Sequence, residues 1–342
     1  MRLSILIPTC DRPDAMRRCL EGLAPECISP DIEILVGLDG PASLTPDPVI
    51  PASIEGKVRP VRLPRSGIIR VRRALLREAR GEYVLWLNDD VVAAPGLIAD
   101  HLAVLEHGGA RVVGGAARWR PVPEPDLFDR LVQSTDLVFF RPVRPEATKP
   151  YVTDYRSCYG LNMSFPRALA ERAGGVPDLP ESYGYDDTEL VYRLAAAGAE
   201  VWHAPAAAVV HDHRYRPADV HRREYLLGRA AWHYGHANPA FARDLFRRDI
   251  QAEAELAYCR EVLRRERRDA ERIERSFLDL ATRGAEDASD GVLHLLAEHW
   301  VLLKRYLWRW GLLDASANRP VTWSLLREVK SAPGEDAVVV AQ

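Results

Sequence analysis

Short apolar segments alternate with amphipathic ones through the N-terminal third of this chain, and that alternation leaves few folds open to it. Residues 3–7, 32–38, 57–63 and 83–87 have the length and composition of strands. Between them Met16, Cys19, Leu20 and Leu23 recur at i, i+3, i+4 and i+7, the stripe of an amphipathic helix. Residues 67–79 carry Leu75, Leu76 and Ala79 on one side, and Pro95 suits the first turn of a helix bearing Leu97, Ile98, Leu102 and Leu105. Strands and helices in this rhythm predict βαβ units and a Rossmann-type, mostly parallel sheet flanked by helices, an α/β fold.

The pattern then weakens. Residues 118–155 are proline-rich and aperiodic, which predicts a long loop with one short helix. Order returns at Gly160-Leu161-Asn162-Met163-Ser164-Phe165, followed by a short helix ending at Gly174-Gly175. A further helix opens at Asp186-Asp187-Thr188-Glu189 and ends near Gly198, with two strands expected at 200–203 and 207–211. From Pro217 the chain is dense in Arg, Glu, Ala and Leu, predicting helices at 218–236, 239–282 and 289–312. The expected organisation is an α/β domain over 1–215 and an all-helical C-terminal subdomain over 216–342. The tail beyond Pro320 offers few core-forming stretches.

Composition narrows the function. A formal net charge of −3 gives no electrostatic case for nucleic acid. The five cysteines are scattered, odd in number and without a C-x-x-C pair, as expected of free thiols in a reducing compartment. No apolar run approaches the 18 or more residues of a membrane span, and no basic-then-apolar leader opens the sequence. The expected location is the cytoplasm, with peripheral contact at the inner membrane face as a second expectation.

The strand at 83–87 stops at Asn88-Asp89-Asp90. In open α/β sheets ligands bind beyond the carboxyl ends of the strands, and carboxylates there suit a hard divalent cation that also accepts phosphate oxygens. The competing account is an acidic turn before the helix at Pro95. The first strand is not followed by the G-x-G-x-x-G of a dinucleotide site, which argues against a dehydrogenase. Asp39, ending the second strand, could accept from a base N–H or a ribose hydroxyl, or simply serve its turn. Asp186 and Asp187 precede an apolar stripe; one acid is explained as a helix cap, the pair less well. His211 and His213 close the last strand and could ligate Mn²⁺ or Zn²⁺. Asn162 could contact donor or acceptor, or belong to a strand edge. Arg214 and Arg216 could meet phosphates or lie in a solvated loop.

Several of these segments together resemble the family 2 inverting glycosyltransferases of GT-A fold. The resemblance rests on Ser4 to Pro13 (Ser-Ile-Leu-Ile-Pro-Thr-Cys-Asp-Arg-Pro), on Glu33 to Gly40, and on Arg72 five residues after Gly67. It continues in Ala79 to Asp90, Gly160 to Phe165 and Asp186 to Leu194, in matching order across about 1–215. It implies that Asp90, matching the last acid of the family's Asp-x-Asp signature, coordinates Mn²⁺ or Mg²⁺ on the donor diphosphate, with His211 as a further ligand and His213 as the fallback. Asn88 stands where the family has the first Asp, and brings no charge. Asp187 matches the general base and Asp186 would hold acceptor hydroxyls. Asp39 and the loop Pro8, Thr9, Asp11 and Arg12 would hold the nucleoside, Arg72 and Asn162 would join the substrate site, and Asp89 would contact ribose or structure the loop.

The function implied is metal-dependent, inverting transfer of a sugar from an NDP-sugar, with UDP expected, to an acceptor hydroxyl on a glycan, lipid carrier or protein. The alternatives are a non-catalytic nucleotide-sugar-binding scaffold and a sugar-1-phosphate nucleotidyltransferase. In the C-terminal part Leu295, Leu296, Trp300, Leu303, Leu307 and Trp310 recur at helical spacing beside Lys304, Arg305 and Arg309. A bundle core, a homo-oligomer seam and an interfacial membrane helix all fit that mixture.

Overall fold

The structure is a computed structural model that describes residues 1–140, 146–180 and 183–321. The expectation about the tail concerns residues that lie, from 322 onward, outside those described. Among the described residues nine strands form one sheet: β1 (Leu3–Thr9), β2 (Ile32–Asp39), β3 (Val58–Leu63), β4 (Tyr83–Leu87), β5 (Val91–Ala93), β6 (Arg111–Trp119), β7 (Tyr151–Val152), β8 (Asn162–Pro166) and β9 (Glu200–His211). Their order is β3-β2-β1-β4-β8-β6-β9-β5, with β7 also paired to β9. β5, β7 and β8 run against the other six.

Both faces of the sheet are covered, so the strands read as continuous apolar runs rather than alternating ones. Ile5, Ile7, Ile34 and Val36 point to one side and pack with Met16 and Leu20 of α1 (Pro13–Leu23). Leu6, Leu35 and Trp86 point to the other, against Leu75 of α2 (Ile68–Glu78). α3 (Leu97–Leu105) joins the first side. The next two helices in the chain are α4 (Leu127–Ser134) and the short α5 (Arg167–Arg172). On the second side Leu190 and Leu194 of α6 (Asp186–Ala196) complete the layer.

The C-terminal helices are α7 (Pro217–Ala237), α8 (Pro239–Phe246), α9 (Glu253–Ala281) and α10 (Asp290–Ser316). Leu296, Trp300, Leu303 and Leu307 of α10 are buried with Phe277 of α9 and with Leu127, Phe128 and Leu131 of α4. The apolar stripe is therefore core, and its buried members present no face to a membrane. α7 and α10 approach backbone to backbone. A Cβ on Gly228 would lie 1.9 Å from the carbonyl oxygen of Trp308, and one on Gly311 1.9 Å from that of Tyr225. Among the described residues no helix is long and apolar enough to cross a membrane.

Three features depart from the sequence expectations. β6 was not anticipated, because Gly114, Gly115, Ala116 and Ala117 dilute its apolar signal, and β5 is too short to register. The two strands expected at 200–203 and 207–211 are one strand, β9. Its pairing with β6 shifts register between Gly115 and Ala116, so three residues including Pro205 bulge out of the ladder. The long helix expected at 239–282 is two helices, broken where Arg247 turns left-handed at φ 57°.

Candidate active site

With β1 between β2 and β4, the carboxyl ends of β1 and β4 border the crevice where the strand order reverses. Thr9 at the end of β1 donates its hydroxyl to Asp89 Oδ2 at 2.6 Å. Arg12 spans both acids, donating from Nη2 to Asp89 Oδ1 at 2.5 Å and from Nη1 to Asp90 Oδ2 at 2.8 Å. Both carboxylates are buried, whereas 23% of the Arg12 side chain is exposed. Asp11 does not cap α1. It is exposed, left-handed at φ 54°, and its backbone N–H donates to Thr45 Oγ1 at 3.2 Å. Arg12 occupies the capping position, but its side chain makes no capping hydrogen bond to the helix.

The β5–β9 pairing brings a histidine to the acids. Val91 lies opposite His211, and the Asp212 N–H donates to the Asp90 carbonyl at 2.7 Å. His211 Nε2 thereby reaches 3.7 Å from Asp90 Oδ1, while its Nδ1 is buried without a hydrogen-bond partner among the described residues. Two atoms ligating one small divalent ion, each about 2.1 Å from it at 90–120°, are themselves roughly 3.0–3.6 Å apart. At 3.7 Å the pair stands just beyond that range, so the two groups would have to close slightly on a shared cation. Among the described residues no group of three or more His, Cys, Asp or Glu could hold a metal. Such an ion would therefore also take phosphate oxygens and waters, which is the habit of Mg²⁺.

Burial opposes ionisation of Asp90, but His211, Arg12 and His213 offset it and hold the carboxyl well below its usual range. Burial also lowers the pKa of His211 and His213. Both are then neutral near pH 7, so the lasting positive charge is that of Arg12, and a neutral imidazole is the form that binds metal. Burial pushes Asp89 up, against the pull of Arg12.

A second linkage ties β4 to α6. Buried Arg72 donates to Asp186 Oδ2 at 2.7 Å and to Asn88 Oδ1 at 3.0 Å, and lies 4.9 Å over the Trp86 ring. Asn88 thus supplies the oxygen that Arg72 needs without adding a second carboxylate. Asp187 accepts from the Gly160 N–H and the Thr188 N–H, each at 2.7 Å. Gly160 must be glycine because a Cβ there would lie 2.5 Å from the pinned Arg72 guanidinium.

The chain therefore brings Pro8, Arg12, Arg72, Asn88, Asp89, Asp186, Asp187 and His211 to one cleft of about 430 Å³, and Asp90 is joined to it through Arg12 and His211. The helical part supplies Arg223, Glu224, Leu227, Lys304 and Trp308 to the same wall. Sequence reasoning assigned none of the five to the site, Lys304 having been noted only beside the α10 stripe, because nothing local in a helix marks the face that meets a distant segment.

Thr9, Asp11, Asp39 and Asn162 do not line the cleft. Asp39 accepts from the Ser66 N–H at 2.6 Å and the Gly67 N–H at 2.9 Å. It borders a niche of about 20 Å³ that also touches Pro8 and Thr9. Asn162 is buried outside the cleft, on the wall of a larger neighbouring cavity. Its amide N–H groups donate to the carbonyls of Ala116 at 3.1 Å and Ala207 at 2.9 Å, beside the β6–β9 register shift. Its Oδ1 faces His101 Nε2 at 2.8 Å. Those donations fix the amide orientation, so His101 carries its proton on Nε2 and accepts from Ser164 at Nδ1. His101 was not singled out because it sits unremarked within the apolar stripe of α3. Arg214 and Arg216 are engaged in ion pairs with Asp129 and Asp219.

Residues 4–159 match the profile described as glycosyl transferase family 2. Over that stretch the chain resembles a family 2 glycosyltransferase. The fold agrees. Over 93% of this chain and 88% of the other, it resembles the mannosyltransferase PcManGT from Pyrobaculum calidifontis at a TM-score of 0.54 and 15% identity. It also aligns with S. aureus TarS 1–349 over 93% and 92% of the two chains, at a TM-score of 0.45 and 13% identity. No curated protein matches its sequence.

Proposed function

We propose that this glycosyltransferase moves a sugar from an NDP-sugar to an acceptor hydroxyl with inversion at the anomeric carbon. The observation that carries this is one cleft lined by Asp89 beyond β4 and by Asp187 at the start of α6, with Asp90 joined to it through Arg12 and His211. The division of labour follows from those positions. The acidic side takes the diphosphate, and Asp187 meets a group that arrives away from it.

Asp90 and His211 would hold a Mn²⁺ or Mg²⁺ ion, whose chemistry when bound is to neutralise charge on the leaving diphosphate. The PcManGT structure was solved with GDP-Man and Mn²⁺, which supports looking for both a divalent ion and a nucleotide-sugar here. Asp187 accepts the acceptor's proton as its oxygen attacks the anomeric carbon. The Thr188 N–H and hydroxyl occupy Oδ1, while Oδ2, which accepts only from the Gly160 N–H, keeps lone-pair capacity for the incoming hydroxyl. Asp186, held by Arg72, takes a neighbouring acceptor hydroxyl, and Thr9 and Arg12 fix Asp89 and the loop beneath the donor.

Asp39 is the candidate for the base. As an acceptor it selects a ring N–H, which uracil and guanine present; UDP is the nucleotide proposed. The small niche beside it must widen as the base enters. The α/β portion to residue 215 is proposed as the donor-binding domain, with the helical portion from 216 closing the cleft.

The test is NDP release from UDP- and GDP-sugars with and without EDTA, followed by NMR of the product's anomeric configuration. Metal-dependent release and an inverted product support the proposal. Absence of release from every donor, or a retained configuration, overturns it.

A further inference from the structure

Beside the cleft lies a larger cavity of about 840 Å³ between the end of β6, α4 and the start of α10. Its wall and the wall of the cleft share Asp136, Phe140, Tyr159 and Leu161. The shared segment is the one that positions the proposed base, because Gly160, between Tyr159 and Leu161, donates its N–H to Asp187 Oδ2. The cavity therefore adjoins the cleft at the segment beside Asp187, while Asp89 lines only the cleft, so an acceptor entering from the cavity would approach Asp187 from that segment. An inverting displacement needs that approach, since nucleophile and leaving group lie on opposite sides of the reacting carbon.

The lining indicates what would fill it. Trp119, Phe140 and Tyr159 form a run of half-buried rings, with centroids 5.1 Å apart for Trp119–Phe140 and 5.7 Å for Phe140–Tyr159. Aromatic faces carry the negative side of a quadrupole and attract polarised C–H groups such as those on a sugar ring. Gln133, Thr135 and Ser157 add neutral polar groups, and the charged lining residues among those described are Asp136 and Asp290. Carboxylates accept from hydroxyls; Asp290 is paired with Arg130 at 2.6 Å, and His203 and His294 also line the cavity. The volume is near the upper part of the roughly 300–1,000 Å³ typical of sites for drug-sized ligands, more than one sugar ring needs.

We infer that this cavity is the acceptor chamber and that the acceptor is a neutral oligosaccharide, its last sugars lying along Trp119, Phe140 and Tyr159 with the terminal hydroxyl at Asp187. The inference rests on the glycosyl-transfer reading above.

The test uses the full chain with a donor it hydrolyses, offered an array of neutral oligosaccharides alongside phosphorylated lipids and peptides. Transfer to neutral oligosaccharides is expected. Ala117→Phe and Ala297→Phe, which fill the chamber from β6 and α10 separately, should lower transfer tenfold or more relative to donor hydrolysis in the same sample. Retained melting behaviour and donor hydrolysis identify variants that are folded, and two sites guard against loss of either. Hydrolysis with transfer only to phosphorylated lipids or peptides, with no transfer to any acceptor, or with transfer undiminished in both filled variants overturns the acceptor assignment alone. Absence of donor hydrolysis in the parent protein overturns the glycosyl-transfer reading instead.

Discussion

Arg12 Nη1 lies 2.8 Å from Asp90 Oδ2, so the carboxylate proposed to meet a cation is already paired with one of the chain's own. The same guanidinium holds Asp89. Removing one partner of a buried ion pair leaves uncompensated charge and costs about 3–5 kcal/mol. Arg12→Ala should therefore lower the melting temperature in EDTA, and Mn²⁺ should raise it more in the variant than in the parent. Thermal unfolding with and without Mn²⁺ checks this. Equal shifts in both proteins would mean the cation does not meet that carboxylate pair.

Asp187→Asn keeps the side chain's shape and an oxygen for one of its N–H partners while removing the base. Donor binding should persist, and turnover should fall by roughly 10²–10⁴, the usual worth of a general base. Calorimetry with UDP and a rate assay separate the two effects. Loss of UDP binding together with loss of folding would instead make Asp187 a structural residue at the start of α6.

Asn162→Ala strips partners from two strand carbonyls and from His101 in the sheet interior. Each buried polar group left unsatisfied costs about 1–3 kcal/mol, so urea unfolding should show a loss of several kcal/mol. The donor KM of the surviving folded enzyme should be unchanged. A raised donor KM with full stability would restore Asn162 to the substrate site.

Burial holds the pKa of His101 down at about 4, against an ordinary 6.5. The folded protein therefore keeps this ring neutral, while the unfolded chain protonates it below pH 6.5. Its contribution is complete above that pH and is lost as pH falls toward 4, a difference on the order of 3 kcal/mol. His101→Gln should be less stable at pH 7.5, and its stability should fall less steeply between pH 6.5 and 4. Parallel pH profiles from urea titrations would show that His101 does not titrate as described.

What the sequence determined by itself was whatever is written in neighbouring residues. Continuous apolar runs defined β1, β2 and β4 and period-3.6 stripes defined α1, α2 and α3, and Asp89-Asp90 and Asp186-Asp187 stood out as paired acids where apolar segments end or begin. Their chemistry is local, so their presence could be read directly. Tertiary structure decided which of them meet. Asp90 faces His211 only because β5 pairs with β9, and Asn88 is tied to Asp186 only because Arg72 reaches both. Asn162, at the start of a strand, suited a ligand contact or a strand-edge role, and only the β6–β9 register shift supplies the carbonyls that its amide meets. Pairing register and the facing of helices depend on burial summed over distant segments, and no window of sequence contains that sum.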